Sequence, residues 1–383
     1  MRSLSSRRAV ACAGLAAGLT LALTACGGSD PDALTEQGFP ETLTLGAIPA
    51  ENSSDLKASY EPLLKMLEDE TGSTVEFVQA SDYAGVVEGM IADNVDLAFF
   101  GPFAYVVAQL NGADTTPLGA VVQDPSAEPG YRSYGLTQSG NSGIDSIEDF
   151  ADKDVCFVDP GSTSGFLYPS AGLIEAGVVG SGTEQDLVAG LTPVYAGGHD
   201  ASALAIAAGD CDAGFAFDTM VDKTMIESGD LREGELKKVW ESETIAGSLF
   251  VGDNSLGTEV VERLAGILTE KGNADYLRAQ GYCDGECRIT DERAWGVVPA
   301  TDADYDGVRH VCEITGSEKC KADDEHRSHH QSPATISFSP PAVSPRNSAP
   351  PPRCPASIST STAANWSCCS ACPARGSRPS SGA

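Results

Sequence analysis

The sequence predicts an α/β protein in which two doubly wound parallel-sheet units flank a cleft. Three observations carry this. Short apolar runs alternate with amphipathic stretches from Thr42 to Phe217, the β-α-β-α order of parallel sheets covered by helices on both faces. A length of 383 residues suits two domains with real cores. Two segments, near Gly130–Thr137 and Ala246–Val251, read as crossings between the units.

The elements follow in order. Thr42–Ile48 (TLTLGAI) is strand-like, and Tyr60–Glu70 has the apolar spacing of a helix that stops near Gly72. Thr74–Gln79 is a second strand and Tyr83–Ala92 a helix. Val95–Phe100 (VDLAFF) is a buried strand closed by Gly101-Pro102, with helix Phe103–Leu110 after it. In the second unit, Tyr134–Thr137 is a short strand and Ile147–Phe150 a short helix. Val155–Val158 (VCFV) leads through a Gly- and hydroxyl-rich turn into a helix ending at Glu175. Leu191–Tyr195, helix Asp200–Ala208 and strand Ala213–Phe217 complete it.

In open α/β sheets, ligands sit at the carboxyl ends of strands. Four such ends carry polar or Gly-rich turns: Pro49–Ser54, Ala80–Tyr83, Asp159–Ser164 and Ala196–His199. The sharpest is Asp159-Pro160-Gly161-Ser162-Thr163-Ser164-Gly165, three consecutive hydroxyls between a strand and a helix. A helix start offers free N–H groups and a positive dipole end. With three hydroxyls at the same spot it suits a tetrahedral oxyanion. A Ser or Thr there also serves as an ordinary N-cap, but three in a row favour an anion site.

Charge separates the chain into three pieces. The whole carries a net charge of −31, which argues against a nucleic-acid surface, since that needs clustered Lys and Arg. The first piece, residues 1–25, has Arg2, Arg7 and Arg8, then the apolar run Ala9–Ala25, and no acid before Asp30. It reads as a secretory signal. Its end, Leu23-Thr24-Ala25-Cys26, resembles a bacterial lipobox, which makes Cys26 the lipidated first residue of a membrane-anchored protein. Residues 26–40 then form a flexible tether. The last piece, residues 326–383, has no Asp, Glu or Lys and many Ser, Pro and Ala. It reads as a disordered tail with the composition of a gene translated out of frame. Its Cys368-x3-Cys372 has no second ligand pair beside it, so no metal site is expected, and no cofactor.

The middle piece, residues 26–325, holds 16 basic and 55 acidic residues, a net charge of −39. Apart from Cys26 it has six cysteines: Cys156, Cys211, Cys283, Cys287, Cys312 and Cys320. An even number outside the cytoplasm suggests disulfides. Cys156 and Cys211, at the starts of two strand-like runs, suit a bridge between neighbouring strands. The connectivity of the other four stays open.

Taken together, SDYAGVVEGM around Tyr83, VDLAFFGP at 95–102, PGYRSYG at 129–135, PGSTSGFLYP at 160–169 and AGGHDASALAIAAGDCDAG at 196–214 resemble one family. It comprises the binding proteins of phosphonate, phosphite and phosphate ABC importers, a branch of the type II periplasmic binding proteins. The resemblance covers about residues 42–300. It implies a two-lobed fold, with 41–130 plus 250–322 as one lobe and 131–249 as the other. It implies an extracytoplasmic, monomeric, non-enzymatic protein that delivers a phosphorus oxyanion to a membrane permease and its ATPase. It places the phosphoryl oxygens on Ser162, Thr163 and Ser164, the ligand-facing tyrosines at Tyr83 and Tyr131, and the site histidine at His199. That imidazole is able to donate and to carry a proton near neutral pH.

The departures are informative. Family members that hold an aminoalkyl phosphonate use acids at positions matching Thr219 and Ser248, and neither is acidic here. A buried ammonium without a carboxylate is costly, so weak binding of 2-aminoethylphosphonate is expected. Asp218 reads equally as an acceptor for a protonated ligand oxygen and as a solvated strand-end acid. Two other functions use the same residues. A ligand-sensing receptor of a signalling kinase needs the same cleft. A serine hydrolase needs Ser162 or Ser164 with His199 and Asp218, but Thr163 stands where a nucleophile elbow requires Ser.

Overall fold

The computed structural model describes residues 33–49, 56–285 and 287–322. The signal segment, Cys26 and the 326–383 tail expected above lie outside them, and so does nearly all of the Pro49–Ser54 turn.

The first half begins β1 (Thr42–Ala47), α1 (Leu56–Thr71), β2 (Thr74–Gln79), α2 (Tyr83–Ile91), β3 (Leu97–Phe100), α3 (Pro102–Leu110) and β4 (Thr115–Val122). The second holds β5 (Ser133–Gln138), β6 (Asp154–Phe157), α4 (Tyr168–Glu175), α5 (Glu184–Gly190), β7 (Thr192–Tyr195), α6 (His199–Ala208), β8 (Ala213–Phe217), α7 (Met225–Ser228) and β9 (Leu236–Glu241). The chain then returns through β10 (Leu249–Asp253), α8 (Thr258–Lys271), α9 (Ala274–Gln280), β11 (Gly296–Val298) and α10 (Asp306–Thr315). Helix α1 starts four residues before the expected Tyr60. Leu56, Tyr60, Leu63, Leu64 and Leu67 form one buried stripe at helical spacing.

One sheet runs β11-β4-β10-β3-β1-β2 and the other β7-β6-β8-β5-β9. Their βαβ cores are parallel, as expected: β1 with β2 and β3, β6 with β7 and β8. The sheets as wholes are mixed, with antiparallel strands added to these parallel cores. Strand β10 is antiparallel to β3 and β4, and β5 is antiparallel to β8 and β9. The reason is the path of the chain. Each of these strands enters its sheet from the other half, so it runs against the strands already there.

The two crossings touch. Tyr131 and Ile245 pair as an isolated antiparallel bridge, with N–H···O contacts of 3.1 and 2.8 Å. The central strands β3, β8 and β10 are buried at every residue, while the edge strands β2, β7 and β9 are partly exposed. Phe99 and Phe100, expected in the core, are fully buried, each stabilising by about 1.5–3 kcal/mol through area removed from water. The cysteines pair as Cys156–Cys211, Cys283–Cys287 and Cys312–Cys320.

Candidate functional site

The three-hydroxyl turn follows β6 and opens a single wide turn, Thr163–Leu167, that runs straight into α4. The local sequence explains the shape. The Ser162 hydroxyl accepts the Gly165 N–H at 3.0 Å, and the Leu167 N–H reaches back to the Ser162 carbonyl. Gly165 is required: a Cβ there would lie 2.3 Å from Val158. The Ser133 hydroxyl, on β5, holds the Ser164 carbonyl. All three hydroxyl residues are buried.

Around this turn closes a tight cavity of about 10 Å3. Ile48, Tyr83 and Gly101 line it from the first half, and Ser162, Thr163, Ser164, His199 and Phe217 from the second. Tyr131 and Ser248, on the two crossings, and Glu292 complete the wall. None of these residues is Lys or Arg.

Tyr83 is the first residue of α2, whose N-cap Asp82 accepts the Gly85 N–H. Its hydroxyl faces that of Ser162 across the cleft. The Tyr131 hydroxyl faces Thr163 and Ser164. Burial, aided by the charge of Asp159 for Tyr83 and of Glu292 for Tyr131, raises both phenols well above their usual range. Both therefore stay protonated and able to donate.

His199 opens α6 and is buried. Its Nδ1 accepts the Phe217 N–H at 3.2 Å, which puts the ring proton on Nε2, 3.4 Å from the Ser162 Oγ. Burial drops its pKa to about 3. This corrects the expectation of a histidine charged near neutrality: the ring is a neutral donor, since no carboxylate reaches it to offset desolvation.

Six of the seven expected ligand residues line the one cavity; Asp218 does not. Its carboxylate accepts N–H groups from Arg132 at 3.1 Å and Thr219 at 2.7 Å, so it ties β8 to the start of β5. The hydrolase arrangement fails for the same reason. The Nδ1 that a third triad member would hold is bonded to backbone instead.

The residue that sequence reasoning missed is Glu292. As a whole residue it is only partly buried, but its carboxyl lines the cavity and accepts the hydroxyl proton of Ser248. Burial there, with the negative charges of Asp291 and Asp218 and against the Ser248 hydrogen bond, pushes it up to about 8. Thus Ser248, flagged as a missing acid, marks where an acid is supplied by another segment.

Two mixed-sheet lobes, joined by paired crossings and closing on a hydroxyl-lined cavity, define a type II periplasmic binding protein. The comparisons agree. Residues 45–305 match the family described as "ABC transporter, phosphonate, periplasmic substrate-binding protein". The chain is 68% identical over 308 residues, 80% of it and 96% of the relative, to the Phosphate-import protein PhnD of Mycolicibacterium smegmatis. It is 28% identical over 243 residues, 62% of it and 69% of the relative, to the Phosphonates-binding periplasmic protein of Escherichia coli. Among solved structures, the binding protein component of an ABC phosphonate transporter from Pseudomonas aeruginosa superposes with a TM-score of 0.59 at 26% identity, covering 70% of this chain and 85% of that one. The chain belongs to the phosphonate-binding family of ABC transporter substrate-binding proteins. It is an extracytoplasmic binding component of an importer, not an enzyme. Among the described residues no helix is long and apolar enough to cross a membrane.

Proposed function

We propose that the chain captures inorganic phosphate outside the membrane and hands it to the importer's permease, as a monomer tethered by lipid at Cys26. The observation that carries this is the cavity itself. Five hydroxyl side chains (Tyr83, Tyr131, Ser162, Thr163 and Ser164) and the Nε2–H of His199 converge on one small space, beside the Ser248 hydroxyl that donates to Glu292. An anion with oxygens on every side uses donors on every side, whereas an extended organic arm needs a longer channel. The 68%-identical relative is named for phosphate import, which supports the same ligand here.

Recognition is local. Neutral hydroxyls and helix-end N–H groups meet the anion, and the surface acids stay in water, where salt screens them. Closure of the lobes about the paired crossings excludes water and strengthens each hydrogen bond. The test is the ligand that co-purifies: phosphorus NMR of the anion released on denaturation should show orthophosphate. A phosphonate signal in its place overturns the assignment. Lipidation is checked by mass spectrometry of the mature N-terminus, where an unmodified Cys26 contradicts the anchor.

A further inference from the structure

Glu292 is delivered to the cavity by an unusual turn. Thr290 and Arg293 both hold left-handed backbone, with φ of 61° and 55°. Non-glycine residues adopt that region at a cost, and it persists where surrounding contacts impose it. Those contacts are present. The Tyr60 hydroxyl, on α1, donates to Asp291 at 2.8 Å, and the Gln123 amide donates to the Glu292 carbonyl at 3.1 Å. Arg293 pairs with Glu227, on α7 of the opposite lobe, at 3.0 Å, and Ile289 and Ala294 close the turn as a bridge. The strain is held in place on both sides of the one carboxyl that lines the cavity.

That carboxyl sets an electrostatic problem. The lining has no Lys or Arg. Neighbouring groups add no positive charge against it: Asp291 on the same turn and Asp218 from the other lobe raise its pKa, Tyr60 and Tyr131 are held as neutral phenols, and His199 is a neutral ring. The charge of Arg293 is directed to Glu227. An ionised carboxylate touching a phosphate dianion here would set like charges together in low dielectric.

We propose that Glu292 is the specificity-determining acid of this site: its carboxyl and one phosphate oxygen share a proton, so that only a protonated carboxyl–anion pair is bound. The inference rests on the phosphate reading above. Above both the second ionisation of phosphate and the pKa of the Glu292 carboxyl, about 8, the balance is simple. HPO4 2− and ionised Glu292 enter, one proton is taken from solvent, and it lies on the hydrogen bond between a carboxyl oxygen and a phosphate oxygen. No covalent bond forms or breaks. In this neutral form the carboxyl is not the ionised acid that an ammonium group needs, so weak binding of 2-aminoethylphosphonate is still expected.

No other lining group titrates in the same window. Both lining phenols are pushed up and the imidazole is pushed down to about 3. Wild-type affinity for phosphate should therefore fall close to tenfold per pH unit above about pH 8. Titration calorimetry at about pH 9 in buffers of different ionisation enthalpy should record uptake of about one proton. Glu292→Gln should bind more weakly at neutral pH, lose that slope and take up almost no proton, because an amide donates without a proton from solvent. Ser248→Ala removes the bond that favours the ionised carboxyl and should move the break to higher pH. Phosphate binding that is sensitive to Ser162→Ala but takes up no proton in the wild type, or a Gln variant that keeps the full slope, overturns the role of Glu292 alone. A wild-type protein that binds no phosphate at any pH overturns both this role and the phosphate reading.

Discussion

The Thr163 hydroxyl accepts the Phe103 N–H at 2.9 Å, and by that one bond the hydroxyl turn of one lobe caps a helix of the other. Helix α3 begins after Gly101, which has no side chain to cap it. A backbone N–H at a helix start needs a partner, and here the partner sits across the cleft. The hydroxyl proposed to meet the anion is thus also a contact between the lobes.

Thr163→Val keeps the shape and removes the hydroxyl. It should weaken phosphate binding by tenfold or more, since a hydrogen bond to a charged group contributes about 1.5–3 kcal/mol. Thr163→Ser should retain most of the affinity. Calorimetry on both variants, with thermal melts to show that each is folded, checks this.

Gly165→Ala should be the most damaging small substitution in the turn. The added Cβ meets Val158 at 2.3 Å and the Ser162 Oγ at 2.8 Å. Overpacking of this kind costs about 1–3 kcal/mol, read by chemical denaturation. The alanine also displaces the hydroxyl that caps its own N–H, so affinity should drop with stability. Gly266→Ala, in α8, is a useful control, since no atom lies within 4 Å of its Cβ.

His199 should make the protein acid-labile. Its folded pKa is near 3 and its unfolded value near 6.5, so between these pH values the unfolded state binds the extra proton. Stability is then complete above about pH 6.5 and falls as pH drops through the window, by up to about 1.4 kcal/mol per unit. Denaturation at several pH values should show this slope in the wild type and a flatter one in His199→Gln. An equal slope in both would exclude the buried imidazole as its source.

Reduction should destabilise the second lobe first. The Cys156–Cys211 pair closes a separation of 55 residues, against 8 for Cys312–Cys320 and 4 for Cys283–Cys287. Chain-entropy reasoning gives about 4 kcal/mol for the long loop and about 2 for the short ones. Non-reducing peptide mapping should recover these three pairs, and Cys156→Ser with Cys211→Ser should lower the melting temperature more than either other double replacement.

The sequence made the βαβ cores legible because their signal is local: buried runs such as LAFF in β3 and AGFAF in β8, punctuated by Gly, Pro and caps. Strand direction in β5 and β10 is not local. It depends on which lobe the chain has just left, and no residue within SYGLTQ or LFVGD encodes that. The hydroxyl turn was readable because three small donors in a row are chemically distinctive. Glu292 was not, since it lies in Asp291-Glu292-Arg293, which reads as ordinary polar loop; what turns it inward is backbone conformation held by Tyr60 and Gln123. Asp218 misled for the converse reason. A strand-end acid looks available, but backbone N–H groups already occupy its oxygens.

The central claim is that this cleft is built for inorganic phosphate. Calorimetric titration of ligand-stripped protein at neutral pH with phosphate, phosphite, methylphosphonate and 2-aminoethylphosphonate tests it most directly. Phosphate should bind tightest and 2-aminoethylphosphonate weakly, both sensitive to Ser162→Ala. Tightest binding of phosphite, methylphosphonate or 2-aminoethylphosphonate would contradict the account.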